Sequence, residues 1–309
     1  MKKGIVYRST GSWYTVESQG VFYECRIKGK LRLKGIKSTN PVAVGDRVHF
    51  EIDSHAQANE GNITQIEERQ NYIVRKSVNL SKQTHIIASN IDQVFLLVTL
   101  NNPPTFPAFI DRFLVTAEAY QIPAVLLFNK IDTYTNAELD DLKILQNIYQ
   151  EIGYVTQSIS AINGEGVDTI KTLMQDKVSM FSGHSGVGKS TLVNAISPEL
   201  ALKTAAISKQ HQQGMHTTTF AEMFALFDGI RIIDTPGIKG FGVVDMLPEE
   251  IGNYFPEFYK RKMDCKFHNC IHINEPKCAI IDAVENEEIA LSRYTSYVQM
   301  MEEDSPYRN

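Results

Sequence analysis

The run from Gly183 to Ser190, inside MFSGHSGVGKST, has the spacing G-x-x-x-x-G-K-S/T. An apolar strand precedes it and the helical TLVNAI follows, the setting in which this pattern cradles phosphate. Gly183, Gly186 and Gly188 let the backbone of His184, Ser185 and Val187 wrap an anion. The amides there, and the helix start at Ser190 and Thr191, then point at negative charge. Lys189 is placed to reach the β- and γ-phosphates, and Ser190 to ligate Mg²⁺. Further on, IRIIDTPG ends an apolar strand at Asp234, whose carboxylate suits Mg²⁺ through a water. Gly237 can offer its amide to the γ-phosphate. Between the two lies GMHTTT, in a Gln-rich loop. One of Thr217, Thr218 and Thr219 completes the Mg²⁺ shell while γ-phosphate is present. Spacing does not choose among them, and Thr218 is the preferred candidate.

A second stretch, VLLFNKID, ends in a base reader. The Asp132 carboxylate can accept from both N1–H and the 2-amino group of guanine, a pair adenine cannot offer. Asn129 braces the loop, and the Lys130 stem lies against the purine. SISA closes the following strand at Ser160 and Ala161, and the Ala161 amide is the expected donor to O6. All parts of a GTP site are therefore present, but in the order base, base, phosphate, switch, switch. That order is a rotation of the usual one, which a compact domain tolerates when its ends are joined and it is reopened at a loop. The second switch then leads straight into the C-terminal segment, which γ-phosphate binding is expected to reposition.

A third constellation is Cys265-x₄-Cys270-x-His272-x₅-Cys278, with His268 as a competing imidazole. Three thiolates and one imidazole with no spare position fit one structural, tetrahedral Zn²⁺. An iron–sulfur cluster would want a fourth cysteine. The fourth cysteine of the chain, Cys25, stands far away and reads as a core residue. This is not the framework of a disulfide-rich secreted domain.

The elements that must hold these groups follow from pattern. Strand and helix signals alternate from DQVFLLVTL through FIDRFLVTAEAYQ, AVLLF, AELDDLKILQNIYQEIG, YVTQSISA and VSMFS. That alternation implies a parallel sheet covered by helices. The stretch 71–90 is polar, weakly periodic and read as a connector. EEIGNYFPEF and NEEIALSRYTSYVQMMEE are read as helices flanking the cysteines. The first 70 residues are short strands and turns. In CRIKGKLRLK, Arg26, Lys28, Lys30, Arg32 and Lys34 alternate with small and apolar residues, so a strand puts all five cations on one face. A small barrel with one basic face fits an OB-fold that binds nucleic acid.

Charge agrees with that placement. Residues 1–50 hold ten Lys or Arg against Glu17, Glu24 and Asp46, a surplus of seven, while the whole chain is −5. A basic module on an acidic body suggests an anionic partner. With 22% charged and 43% hydrophobic residues, the composition is that of a globular protein rather than a disordered one. No segment approaches the roughly 20 apolar residues of a membrane span, and a cytoplasmic monomer is expected.

Taken together, GKLRLKG, VGDRV, SNIDQVFLLVT, FNKID, GHSGVGKSTLVNAI, HTTT, DTPGIKGF and the C-terminal cysteines resemble the circularly permuted, ribosome small subunit-dependent GTPase A family. The resemblance covers nearly the whole chain. It implies three domains: an OB-fold at 1–70, a permuted α/β P-loop GTPase domain at 71–240 and a mostly helical zinc-binding domain at 241–309. It also implies a role in late maturation of the small (30S) ribosomal subunit, with GTP hydrolysis stimulated by that subunit and contact with its rRNA. His272 rather than His268 matches the family's zinc pattern. His216 is the family's candidate catalytic residue, entering from the first switch. Met215 departs from the basic residue often found before the His-Thr run.

Ile238 stands where many GTPases carry a water-orienting glutamine, so slow intrinsic hydrolysis is expected. The alternative reading is a module that holds RNA or the ribosome and uses guanine nucleotide for regulation with negligible turnover. A kinase or ATPase conflicts with Asp132.

Overall fold

The computed structural model describes residues 1–27, 41–53, 59–76, 84–198, 221–234 and 246–303. They fall into two compact units, each treated by itself. The first comprises Met1–Val94, Val167–Phe181 and Ser190–Lys239; the second comprises Phe95–Gly166, Ser182–Lys189 and Gly240–Asn309.

In the first unit, five short strands close on themselves. They are β1 (Lys2–Ser9), β2 (Tyr14–Ser18), β3 (Val21–Ile27), β4 (Arg47–Ile52) and β5 (Glu60–Ile66). β1–β2, β2–β3, β4–β5 and β1–β4 pair antiparallel, and β3–β5 is parallel. The closed circuit 1-2-3-5-4-1 is the OB-type barrel that the sequence pattern predicts, and it leaves none of these strands an open edge. Period-two alternation fills it. Val6, Tyr14, Val16, Tyr23, Cys25, Val48, Phe50 and Ile63 point inward. Cys25 is a core residue as expected, and burial pushes its thiol up to about 12.

The barrel is tied to the chain that leaves it by a buried ion pair. Arg69 Nε and Nη2 donate to the two Asp46 carboxylate oxygens at 2.6 Å each, and Ser89 Oγ donates to Oδ1 at 2.6 Å. Asp46 belongs to the VGDRV turn, where Gly45 has φ +91° and a Cβ would lie 2.0 Å from Ser89 O. Only glycine fits that approach.

The stretch 71–90 is more than a connector. β6 (Tyr72–Lys76) and β7 (Thr84–Ser89) form an antiparallel ribbon with Ile73, Ile86 and Ala88 buried. So few alternating positions, broken by a register shift between Ile73 and Val74, give too weak a period to read. The unit also contains α3 (Val167–Met174) and β11 (Val178–Ser182), which pairs in parallel with β13 (Arg231–Asp234). β12 (Glu222–Ala225) pairs antiparallel with β13 and meets β1 at Arg8–Glu222, so the barrel and this part of the α/β sheet share one hydrogen-bonded edge.

The second unit is built on the apolar β8 (Gln93–Val98) from Phe95 onward, β9 (Ala124–Phe128) and β10 (Val155–Ser158), with β9 and β10 parallel. Helix α1 (Pro107–Ala119) starts with proline at its first turn, where no amide is needed. Helix α2 (Asn136–Ile152) is framed by a Thr135–Glu138 capping box and by Gly153 at φ 115°. Beyond residue 245 come three short helices, α5 (Pro248–Ile251), α6 (Pro256–Arg261) and α7 (Ala279–Glu285), and the longer α8 (Leu291–Glu303), counting α4 (Lys189–Ile196) in the phosphate region.

Two helix expectations need correction. EEIGNYFPEF is split by a 3₁₀ turn at Gly252–Tyr254, because Pro256 opens a new helix and cannot continue the old one. The helix expected from Asn286 begins only at Leu291. Glu287 has φ 60°, so the chain turns there and buries Ile289.

These short helices pack on α1 through Val115, Phe255, Phe258, Ile280, Tyr297 and Met300, and through one ion pair. Arg293 on α8 donates to Asp111 on α1 at 2.6 Å and to Glu257 on α6 at 2.7 Å, while Tyr149 on α2 donates to Asp111 at 2.9 Å. Asp111 and Arg293 are essentially inaccessible to solvent. Burial pushes the Asp111 carboxyl up, and the guanidinium beside it opposes that shift. Removing one partner strands the other charge. Arg293→Met should therefore cost about 3–5 kcal/mol in urea unfolding followed by circular dichroism. A loss below about 1 kcal/mol, the level of an exposed pair, would show that the pair does not anchor these helices.

Candidate functional site

The phosphate loop leaves β11 at Ser182 and enters α4 at Lys189. Gly183, Gly186 and Gly188 have φ 141°, 84° and 101°, conformations that side chains rarely adopt. At Gly188 the need is also spatial, since a Cβ would sit 2.3 Å from Asn129 Nδ2. Ser185, Gly186, Ser190 and Thr191 are exposed along the loop, and Val187 is buried beneath it. Lys189 folds across, its Nζ donating to the carbonyls of Gly183 and His184 at 2.6 Å each. Burial lowers its pKa from the ordinary lysine value. The His184 ring stacks on Phe109 with centroids 3.7 Å apart, and burial, then the Lys189 charge, pushes its imidazole down.

The base side is held against this loop by one side chain. Asn129, 2% exposed, donates from Nδ2 to Val187 O at 2.8 Å and accepts at Oδ1 from Ala161 N at 3.0 Å. Lys130 takes a left-handed conformation, φ 70°, and the 3₁₀ turn Ile131–Thr133 presents Asp132 to solvent. Ser160, fully buried, donates its hydroxyl to Asp132 Oδ1 at 2.5 Å. That bond fixes the carboxylate and leaves Oδ2 and the second lone pair of Oδ1 for a ligand. The Ala161 amide expected at guanine O6 is here engaged by Asn129, so O6 must share or replace that bond.

The structure thus brings together Asn129, Lys130, Asp132, Ser160, Ala161 and the loop 183–189. Ser190 and Thr191 open α4, and Asp234 ends β13 at an exposed position. Thr217, Thr218, Thr219, His216, Gly237, Ile238 and Met215 lie outside the described residues, as do Lys28, Lys30, Arg32 and Lys34. Of the basic strand, Arg26 is described. It faces outward from β3 with Tyr23 and Cys25 inward, and its guanidinium lies 3.8 Å over the Trp13 ring.

Cys265, Cys270, His272 and Cys278 converge, their ligand atoms all within 4.8 Å of one another. Cys265 Sγ is 3.6 Å from His272 Nδ1 and 4.0 Å from Cys278 Sγ, and His272 Nδ1 is 3.3 Å from Cys278 Sγ. Ligands at about 2.0–2.3 Å around a tetrahedral ion are separated by roughly 3.3–3.8 Å, and the set lies close to that spacing, slightly expanded. His268 is outside it. The loop carrying Cys270 and His272 is held from both sides. Tyr294 and Tyr297 hydroxyls donate to His272 O and Ile271 O, and Glu275 accepts from the Ile271, Ile273 and Asn274 amides. Burial pushes the Cys270 thiol up, and a bound cation would favour its thiolate.

Sequence reasoning missed two groups. Asp111 is a carboxylate on the apolar face of α1, a signal that a period count absorbs without comment. The loop 100–106, LNNPPTF, packs against the nucleotide loops and carries no recognised motif; its density of Asn and Pro was the only mark.

Comparison with known proteins agrees with this architecture. The RsgA GTPase family model matches residues 66–244 and the RsgA N-terminal domain model residues 3–63. A protein of Christiangramia forsetii named Small ribosomal subunit biogenesis GTPase RsgA is 67% identical over 99% of this chain and 98% of its own length. One of the same name in Bacteroides fragilis is 56% identical over 99% of each. The crystal structure of YjeQ from Thermotoga maritima superposes with a TM-score of 0.82 at 35% identity, covering 99% of each chain. That of YloQ, described as a circularly permuted GTPase, gives 0.78 at 30%, covering 100% of this chain and 96% of that one. With barrel, permuted GTPase domain and Cys₃His helical region all present, the chain belongs to the RsgA GTPase family.

Proposed function

We propose that this protein hydrolyses GTP as a nucleotide-dependent switch in late maturation of the small ribosomal subunit, and that the subunit stimulates the hydrolysis. The observation that carries the reading is the Asn129 carboxamide, which fixes a guanine-type reader against a phosphate loop. The family membership and the names of its close relatives supply the ribosomal side. The domain limits 1–70, 71–240 and 241–309 fit this division of labour.

In this reading the free face of Asp132 accepts from N1–H and the 2-amino group, and the Lys130 stem covers the purine. The loop amides and Lys189 bind the β- and γ-phosphates, with the Gly237 amide on the γ-phosphate. Ser190, Asp234 and Thr218 would hold Mg²⁺, which when bound would supply positive charge where negative charge develops on the phosphates. Ile238 cannot orient water by hydrogen bonding. His216 is assigned that task, engaged when the protein meets its partner. Arg26 on the outward face of β3, with Lys28, Lys30, Arg32 and Lys34 that follow it in the sequence, is assigned to rRNA. A cytoplasmic monomer fits, and no helix among the described residues is long and apolar enough to cross a membrane. A holding module with negligible turnover is not favoured, because both the family model and the relatives are GTPases.

The Cys₃His set is assigned to one structural Zn²⁺, since four soft or borderline donors leave no open position for substrate.

The test of turnover is phosphate release from GTP and from ATP, with and without purified small subunits. Stimulation of at least about tenfold (1.4 kcal/mol of barrier) for GTP alone is expected. Equal rates with ATP, or tight GTP binding with no stimulation, would contradict the proposal. Elemental analysis of the purified protein should give one zinc per chain. In Cys278→Ser the metal content should fall by more than half, with loss of helical signal. Full zinc occupancy in that variant would remove the site.

A further inference from the structure

The nucleotide site has a third wall that no motif marks. Residues 100–106 follow β8 and are bound at three points to the base loop and the first turn of α2. Leu100 N donates to Tyr134 Oη at 2.9 Å, Asn101 Nδ2 to Glu138 Oε1 at 2.6 Å, and Lys130 Nζ to Asn102 O. Pro103 lies under Gly186 of the phosphate loop, 3.4 Å from where a Cβ would stand.

Tyr134 is the joint of this wall. It directly follows the turn that carries Asp132, is 9% exposed, and donates from Oη to the Asn129 carbonyl at 2.8 Å. One hydroxyl therefore accepts from residue 100 and donates to residue 129. Burial raises its pKa, so the proton needed for the second bond is retained. The backbone between Asn129 and Asp132 passes through Lys130 at φ 70°, a conformation that persists in a residue with a Cβ only when its surroundings hold it. Ser160 fixes where the Asp132 carboxylate turns. Nothing in that bond fixes the height of the turn itself, which is held at its two ends by Ile131 N, donating to Ile159 O at 3.3 Å, and by the Asn129 carbonyl under the Tyr134 hydroxyl.

We propose that Tyr134 is a positioning residue for guanine recognition. Its hydroxyl ties the 129–132 turn to the loop 100–106, and so sets Asp132 at the distance where both carboxylate oxygens meet the base. The proposal rests on the reading of Asp132 as the guanine reader. The ligand feature it controls is the 2-amino group, the outermost of the two donors Asp132 meets.

The test compares dissociation constants for GDP and for IDP, whose hypoxanthine lacks the 2-amino group, in wild type, Tyr134→Phe and Tyr154→Phe. Tyr154 donates to Glu118 at 3.1 Å, far along α1 from the base loop, and serves as a control for loss of a buried hydroxyl. Wild type should favour GDP. In Y134F the IDP-to-GDP ratio should fall about three- to tenfold, the worth of one hydrogen bond, chiefly through weaker GDP binding. Y154F should lose thermal stability and keep the wild-type ratio. A wild-type ratio in Y134F, whatever its melting temperature, would overturn the proposal, as would an equal fall in Y154F. If wild type itself did not distinguish GDP from IDP, the guanine reading would fail first.

Discussion

The site depends on one carboxamide. Asn129 Nδ2 and Oδ1 reach a carbonyl 58 residues ahead and an amide 32 residues ahead, and both contacts are buried. Losing the side chain would leave Val187 O and Ala161 N without partners away from water, at about 1–3 kcal/mol each. Because the joint is made through space, it is indifferent to the order of the loops along the chain. That is why a GTPase domain can be cut and rejoined with base reader before phosphate loop. What the rotation changes is the order along the chain, in which the residues after Asp234 run on to the Cys₃His cluster at 265–278.

A second constraint is size. Beyond residue 245, three of the helices span four, six and seven residues. Helices of that length do not persist alone, and they bury too little to order themselves. Two local devices compensate. The Cys₃His set gathers the loop between α6 and α7, and the Arg293–Asp111–Glu257 cluster fastens α6 and α8 to α1. Both take polar groups out of water, and both are stable only when complete. The barrel uses the same device at smaller scale, with Asp46 holding Arg69, Ser89 and the Ala43 amide.

Much of this was legible in the sequence because the informative residues are neighbours. The phosphate loop, NKID and the cysteine cluster each lie within fourteen residues, so their spacing carries their geometry. The apolar strands β8 and β9 were legible for the same reason, being nearly unbroken runs. The illegible parts depend on pairs far apart in the chain. Arg293 and Asp111 are 182 residues apart, Tyr134 and Leu100 are 34 apart, and no local pattern announces either. The helix after Asn286 was misjudged because Glu287 breaks the period with a left-handed turn that glutamate seldom takes. The resemblance to a known family picked His272 over His268, and the geometry of the four donors agrees.

The account stands on Asp132 reading guanine, and the most direct measurement is calorimetric titration of Asp132→Asn with GDP and with XDP. An asparagine amide donates where the carboxylate accepts, so xanthine, with a carbonyl in place of the 2-amino group, becomes the matching base. The account predicts that the preference inverts by at least about a hundredfold, as expected when a site's hydrogen-bonding groups are left unpaired by the wrong ligand. Undiminished GDP affinity in the variant, with no gain for XDP, would mean that the base is read elsewhere and would contradict the account.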